Sequence, residues 1–180
     1  MNASGPDRET GPSDGPVLCG DLNMRIDRDG IWYYCGSPIV RQELVKLFAS
    51  VLKRDESGEF WLITPAEKGR IEVEDAPFIG VELLSTGADR LQVLKIRTNI
   101  DEIVTIDAHH PLEIDLDPET GEPTPYITVR DGLRARLARS VYYELVELGT
   151  EAPGDRKNQY GIWSSGIFFT LGELPDEDRP

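Results

Sequence analysis

The run LNMRIDRDGIWYY, residues 22–34, decides how the chain is read. Two short apolar-bearing stretches, 22–26 and 31–34, flank Asp27, Arg28, Asp29 and Gly30. Turn formers between two strand-like runs predict a β-hairpin. A helix is predicted next, with Ser37 as its cap, Pro38 in the first helical position, and Val40, Leu44, Leu47, Phe48, Val51 and Leu52 at helical spacing. Lys53 and Arg54 fall where cations complement a helix C-terminus. Strands follow over 59–64, 70–75 and 78–84; in the middle one Ile71 and Val73 alternate with Arg70, Glu72 and Glu74.

The same order of signals returns later. Arg130-Asp131-Gly132 repeats Arg28-Asp29-Gly30 after a strand over 126–129, and it precedes a helix marked by Leu133, Leu137, Val141, Leu145 and Leu148, with Gly149 beyond its end. Strands are predicted before it at 91–97, 103–107 and 112–114, and after it at 160–163 and 166–171. Each helix feeds a strand pair carrying a tryptophan. A three-residue echo arises from duplication or from chance. The expectation is an α+β fold of two related lobes, 17–85 and 86–174, each a mostly antiparallel sheet packed with one amphipathic helix. Residues 1–16 and 175–180 are rich in Gly, Pro, Ser and acidic groups and are expected to be disordered tails.

Composition narrows the setting. The chain has 180 residues, 39% hydrophobic and 29% charged, enough to bury a core without metal or disulfide staples. Cys19 and Cys35 are too few for a disulfide framework and are expected to be free thiols. The N-terminus lacks the basic and apolar parts of a secretory signal, and the longest apolar run, 31–35, is far short of a membrane span. A cytoplasmic protein is expected. Its net charge of −14 repels nucleic acid and anionic lipid on average.

The familiar chemical motifs are missing from the sequence. There is no GxxxxGK or GxGxxG phosphate loop, and Gly161, Ser164 and Gly166 do not keep the spacing of a nucleophile elbow. The acidic loop from Asp115 through Asp117 and Glu119 has Thr120 where a calcium loop needs glycine, and Tyr126 where it needs glutamate. His109 and His110 are adjacent, so on a strand they face opposite ways and do not share one metal. Cys35 precedes the predicted helix cap, but no base is in sight to make it a nucleophile. Neither metal nor cofactor is expected. Arg130, Arg134, Arg136 and Arg139 cluster at the start of the second predicted helix, available for ion pairs or for an anionic contact.

The run TPAEKGRIEVEDAPF (64–78) carries the most specific signal. Together with GSPIVRQELVKLF (36–48), Thr98-Asn99, His110-Pro111-Leu112, SVYYEL (140–145) and GIWSSG (161–166), it resembles the uncharacterised bacterial family called domain of unknown function 1285. The resemblance spans nearly all of the chain from about residue 20. It implies a duplicated core of two lobes, the second superficially similar to pleckstrin-homology domains, and a role in signalling without an established activity. In a pleckstrin-homology domain the helix ends the fold, whereas two strands follow Leu148 here, so phosphoinositide binding is not inferred.

Within that run, alternation places Asp75 on the face of Ile71 and Val73, at the margin of an apolar surface, where a carboxylate needs a partner. Lys68 and Arg70 are near in sequence. Charge and aromatics without a catalytic constellation point to a binding or regulatory module. Its ligand, a small anion or a protein segment, is expected between the lobes near Lys68, Arg70, Asp75, Arg134 and Trp163. The alternative is a hydrolase-like enzyme with Glu67 or Asp75 as base and His110 assisting.

Overall fold

The computed structural model describes residues 15–153 and 158–174; the two expected tails, apart from Gly15 and Pro16, lie outside them. The hairpin forms where the sequence places it. Strands β1 (Val17–Ile26) and β2 (Trp32–Tyr34) pair antiparallel with Ile26 opposite Trp32. The Asp27 carboxylate accepts the N–H groups of Asp29 and Ile31 and closes the turn.

The next element corrects the first helix. Cys35 and Gly36 both have positive φ, 46° and 80°, as a two-residue hairpin turn of type I′ requires, so Ser37 and Pro38 form a short strand β3 against β2. Helix α1 (Gln42–Ser50) starts only after Arg41, without a side-chain cap, and buries Val45 and Ala49 while Phe48 stacks on Trp32 at 6.2 Å. Val40 and Leu47, expected on the inner face, are exposed. Lys53 and Arg54 belong to strand β4 (Leu52–Arg54), which is followed by β5 (Phe60–Ile63) and β6 (Glu67–Val73). The first sheet runs β3-β2-β1-β6-β5-β4, with β1 and β6 parallel and the other neighbours antiparallel.

Strand β7 (Phe78–Thr86) already belongs to the second sheet, so the change of sheet comes before residue 78, ahead of the boundary expected after 85. There follow β8 (Val93–Thr98), β9 (Ile103–Thr105), β10 (Leu112–Leu116), β11 (Pro123–Arg130) and β12 (Leu133–Leu137). Helix α2 (Arg139–Glu147) leads to β13 (Thr150–Glu151), β14 (Gln159–Ser164) and β15 (Ile167–Glu173). The second sheet runs β10-β11-β12-β7-β8-β9, again with one parallel pair, β12 with β7, and β13-β14-β15 form a third sheet.

Leu133 and Leu137 are therefore strand residues, not the start of the second helix. In Leu-Arg-Ala-Arg-Leu the inner side chains Leu133, Ala135 and Leu137 are buried, and Arg134 and Arg136 share the opposite face.

The fold is α+β with two related lobes. In each, an Arg-Asp-Gly hairpin leads to a nine-residue helix and then to a three-stranded meander with a tryptophan in its middle strand, Trp61 in β5 and Trp163 in β14. One continuous core runs through both lobes, with Ile26, Trp32, Phe78, Ile96, Leu133 and Leu145 fully buried.

Candidate functional site

The side chains with the most chemistry gather along the seam between the lobes, and the two Arg-Asp-Gly turns build it reciprocally. The first turn reaches the second lobe. The backbone carbonyl of Arg28 accepts from Arg136 Nη2, and that of Gly30 accepts from Asn99 Nδ2 at 3.3 Å. Asn99 also accepts the Ile79 N–H, and its own carbonyl accepts from Gln42 of α1. The second turn reaches back. Arg130 donates to the carbonyl of Ala49 at 2.8 Å, adding a second donor to a carbonyl that already accepts a backbone N–H at the end of α1, and pairs with Glu102. Asp131 holds Lys53 at 2.6 Å, and Asp101 holds Lys46 at 2.8 Å.

At the heart of the seam stands Asp75, in the link between β6 and β7. Tyr126 donates its hydroxyl to Asp75 Oδ1 at 2.7 Å. Arg136 Nε approaches Oδ2 at 3.1 Å, off the line of a hydrogen bond, so that contact is ionic. Tyr126 and Arg136 are opposite one another across β11 and β12, which is why both meet one carboxylate. Burial, reinforced by the hydrogen bond to Asp75, pushes the Tyr126 phenol up to about 12. Arg134 lies over the Tyr126 ring at 4.2 Å and pairs with Asp115 at 3.1 Å.

The five residues singled out in the sequence occupy three places. Asp75 and Arg134 come together through Tyr126. Lys68 and Arg70 lie on the outer face of β6: Lys68 over Trp61 at 4.0 Å, and Arg70 between Glu59 at 3.1 Å and Asp21 at 3.4 Å. They are not the partners of Asp75. Trp163 sits in the second lobe, edge-on to Phe168 at 5.3 Å and under Arg90 at 5.1 Å. Of the residues of the enzyme alternative, Glu67 is exposed at the start of β6, Asp75 has the partners just given, and His110 faces the carboxylate of Asp107 at 3.1 Å. Among the described residues no group of three or more His, Cys, Asp or Glu is placed to hold a metal ion, and no helix is long and apolar enough to cross a membrane.

The sequence places Arg136 only in a cluster of arginines, and gives no sign of its contact with Asp75, of the part played by Tyr126, or of a depression of about 260 Å³ beside them. Its walls include Thr124, Pro125, Arg136, Arg139, Tyr142 and Tyr143. Arg139 opens the first turn of α2, which carries no acidic residue, and its only ion pair among the described residues is with Glu122 at 2.9 Å. Two guanidinium groups, a helix start and phenol rings can hold a carboxylate or phosphate. The lining contains neither histidine nor cysteine to act as base or nucleophile.

Comparison with known proteins gives a consistent assignment. The family model described as "Domain of unknown function (DUF1285), N-terminal domain" matches residues 14–76, and "Protein of unknown function (DUF1285), C-terminal domain" matches 77–171. Among solved structures, a DUF1285 family protein from Silicibacter pomeroyi DSS-3 is 41% identical, with 96% of this chain and 93% of that chain covered and a TM-score of 0.82. A DUF1285 family protein from Shewanella baltica OS155 is 30% identical over 75% of this chain and 94% of that chain, with a TM-score of 0.54. No curated protein matches.

Proposed function

The chain belongs to the DUF1285 family, and from that premise we propose that it is a cytosolic binding module with a regulatory, signalling role. Its ligand is a small anion or an acidic protein segment held in the depression beside the seam. One observation carries this reading: Arg136 lines the depression and at the same time ties Asp75 to the first-lobe turn at Arg28. An anion bound by Arg136 competes with Asp75 for the guanidinium, so occupancy biases the contact between the lobes, which is what a regulatory module requires. Asp75 reaches the site through Arg136, with Tyr126 and Arg134 stacked behind it. Arg70 has less support as an anion receptor, because three carboxylates, Asp21, Glu59 and Glu72, line the depression around it. The hydrolase alternative has less support too, since Asp75 is engaged by Tyr126 and Arg136, Glu67 is exposed at the start of β6, and His110 pairs with Asp107. The likeness we propose between the second lobe and pleckstrin-homology domains lies in a sheet followed by a helix; β13–β15 continue beyond that helix, and no phosphoinositide role is attached to it.

Calorimetric titration with pyrophosphate as the probe anion tests the reading. Arg139 is largely exposed, with a surface pair to Glu122, so Arg139→Ala leaves the unfolding midpoint unchanged. Losing one charge-assisted contact lowers affinity about tenfold. Arg136→Lys keeps the charge but loses the fork, and binding weakens similarly. Full affinity in both variants, or no binding to the native chain, overturns the assignment.

A further inference from the structure

Trp163 lies apart from the seam and forms one wall of a second cavity, of about 610 Å³. The turn that follows β7 and the C-terminal end of α2 form the others. Among the described residues, Asp89, Glu147 and Glu151 line it against a single cation, Arg90. The end of α2 adds the negative pole of its dipole. In these surroundings Arg90 has no carboxylate within 4.0 Å among the described residues; its guanidinium stands over the Trp163 ring instead, 5.1 Å from the centroid. The indole is a fixed floor. Phe168 packs against its edge, and the buried Gln92 donates to the Trp163 carbonyl at 3.0 Å. Arg90, by contrast, rides on a short exposed 3-10 turn, Asp89–Leu91. Two apolar side chains are exposed nearby, Leu148 in the lining and Leu91 beside Arg90.

An acidic wall, an anchored aromatic floor and a cation already resting on it describe a receptor for a cationic side chain. We infer that this cavity takes an arginine or lysine side chain from a basic peptide segment of a partner, which occupies the face of Trp163 that Arg90 covers. Arg90 is then a built-in competitor, and Leu91 and Leu148 receive the peptide's apolar neighbours. The cavity and its ligand are independent of the anion site beside the seam.

The probe is the peptide acetyl-Leu-Arg-Leu-Arg-amide, titrated at low salt, with its citrulline counterpart as the neutral control. Removing the competitor in Arg90→Ala tightens binding about tenfold, the scale of a partly desolvated cation–π contact. Lys95→Ala removes an equal charge elsewhere and accounts for simple attraction; it changes affinity by no more than about twofold. Glu147→Gln with Glu151→Gln weakens binding and flattens its salt dependence. Trp163→Leu abolishes binding, with the unfolding midpoint checking the fold. The inference is overturned if Arg90→Ala binds no more tightly than Lys95→Ala, if the citrulline peptide binds equally well, or if neither the native chain nor Arg90→Ala binds the peptide. Spermidine binding as tightly as the peptide overturns the choice of a peptide partner.

Discussion

Gly30→Ala measures how tightly the first Arg-Asp-Gly turn is clasped by the other lobe, and the duplication supplies its own control in Gly132→Ala. Both glycines have φ of +74°, so either alanine is forced into a left-handed conformation at about 1–2 kcal/mol. At Gly132 nothing lies within 4 Å of the new Cβ, and the loss ends there. At Gly30 the Cβ would stand 2.7 Å from Ile79 Cγ1 and 2.8 Å from Asn99 Nδ2. Asn99 cannot simply retreat, because it donates to the Gly30 carbonyl and accepts the Ile79 N–H. Overpacking of this kind adds about 1–3 kcal/mol. Gly30→Ala is therefore expected to lose about 2–5 kcal/mol against about 1–2 kcal/mol for Gly132→Ala. Urea unfolding followed by tryptophan fluorescence gives both values, provided the m-value is common to native and variant chains. Equal losses at the two positions would refute the argument, since they would mean that the seam yields at Gly30 without resistance.

Three further outcomes are expected. Ser164→Ala loses about 1–3 kcal/mol in the same assay, because the buried hydroxyl donates to the Ile106 carbonyl at 2.6 Å and accepts the Leu94 N–H at 3.1 Å. The Tyr126 phenol has a folded value above its unfolded value of 10, so its contribution to stability is intact below about pH 10 and is lost as pH rises towards 12. Tyr33 and Tyr142 are also raised, so phenolate absorbance should show a late phase that loses its last-titrating component in Tyr126→Phe and has that component titrate earlier in Asp75→Asn. Asp55 is held down at about 2 by the Ser57 hydroxyl first, and also by the Trp61 indole and the backbone N–H groups of Glu59 and Ser57. Its folded value lies below the unfolded one, so its contribution is full above about pH 4 and disappears as pH falls towards 2; Asp55→Asn should flatten the dependence of the unfolding midpoint on pH in that window.

The hairpin, the strand positions and the two-lobe plan were legible because they rest on local signals: turn residues at 27–30, alternation in 70–73, and the repeated Arg-Asp-Gly. The helix starts were not. Leu133 and Leu137 are four apart, a spacing that suits a helix, yet the Leu-Arg-Ala-Arg-Leu alternation between them is the strand period, and pairing with β11 and β7 decides the matter. Ser37 and Pro38 look like a helix start, but a Cys-Gly turn with two positive φ values claims them for β3. The need of Asp75 for a partner was visible; the identity of that partner was not, because Tyr126 and Arg136 reach it only through the tertiary arrangement of β11 and β12. The seam role of Asn99 lies in the same class, as its contacts at Gly30 and Gln42 are distant in sequence.

The two parallel strand pairs set the order in which the newly made chain can mature. Val17 lies opposite Glu67, so the first sheet is not sealed until β6 has been synthesised, and until then β1 lacks its longest pairing. Phe78 lies opposite Ala135, so the β7–β9 meander can form early on the ribosome but must wait for β12. Likewise α1 gains the Arg130 guanidinium at its C-terminal end only once β11 has been made. Early strands with open edges invite association with other chains during synthesis. Late, non-local closure of this kind also predicts slow folding for a chain of this size.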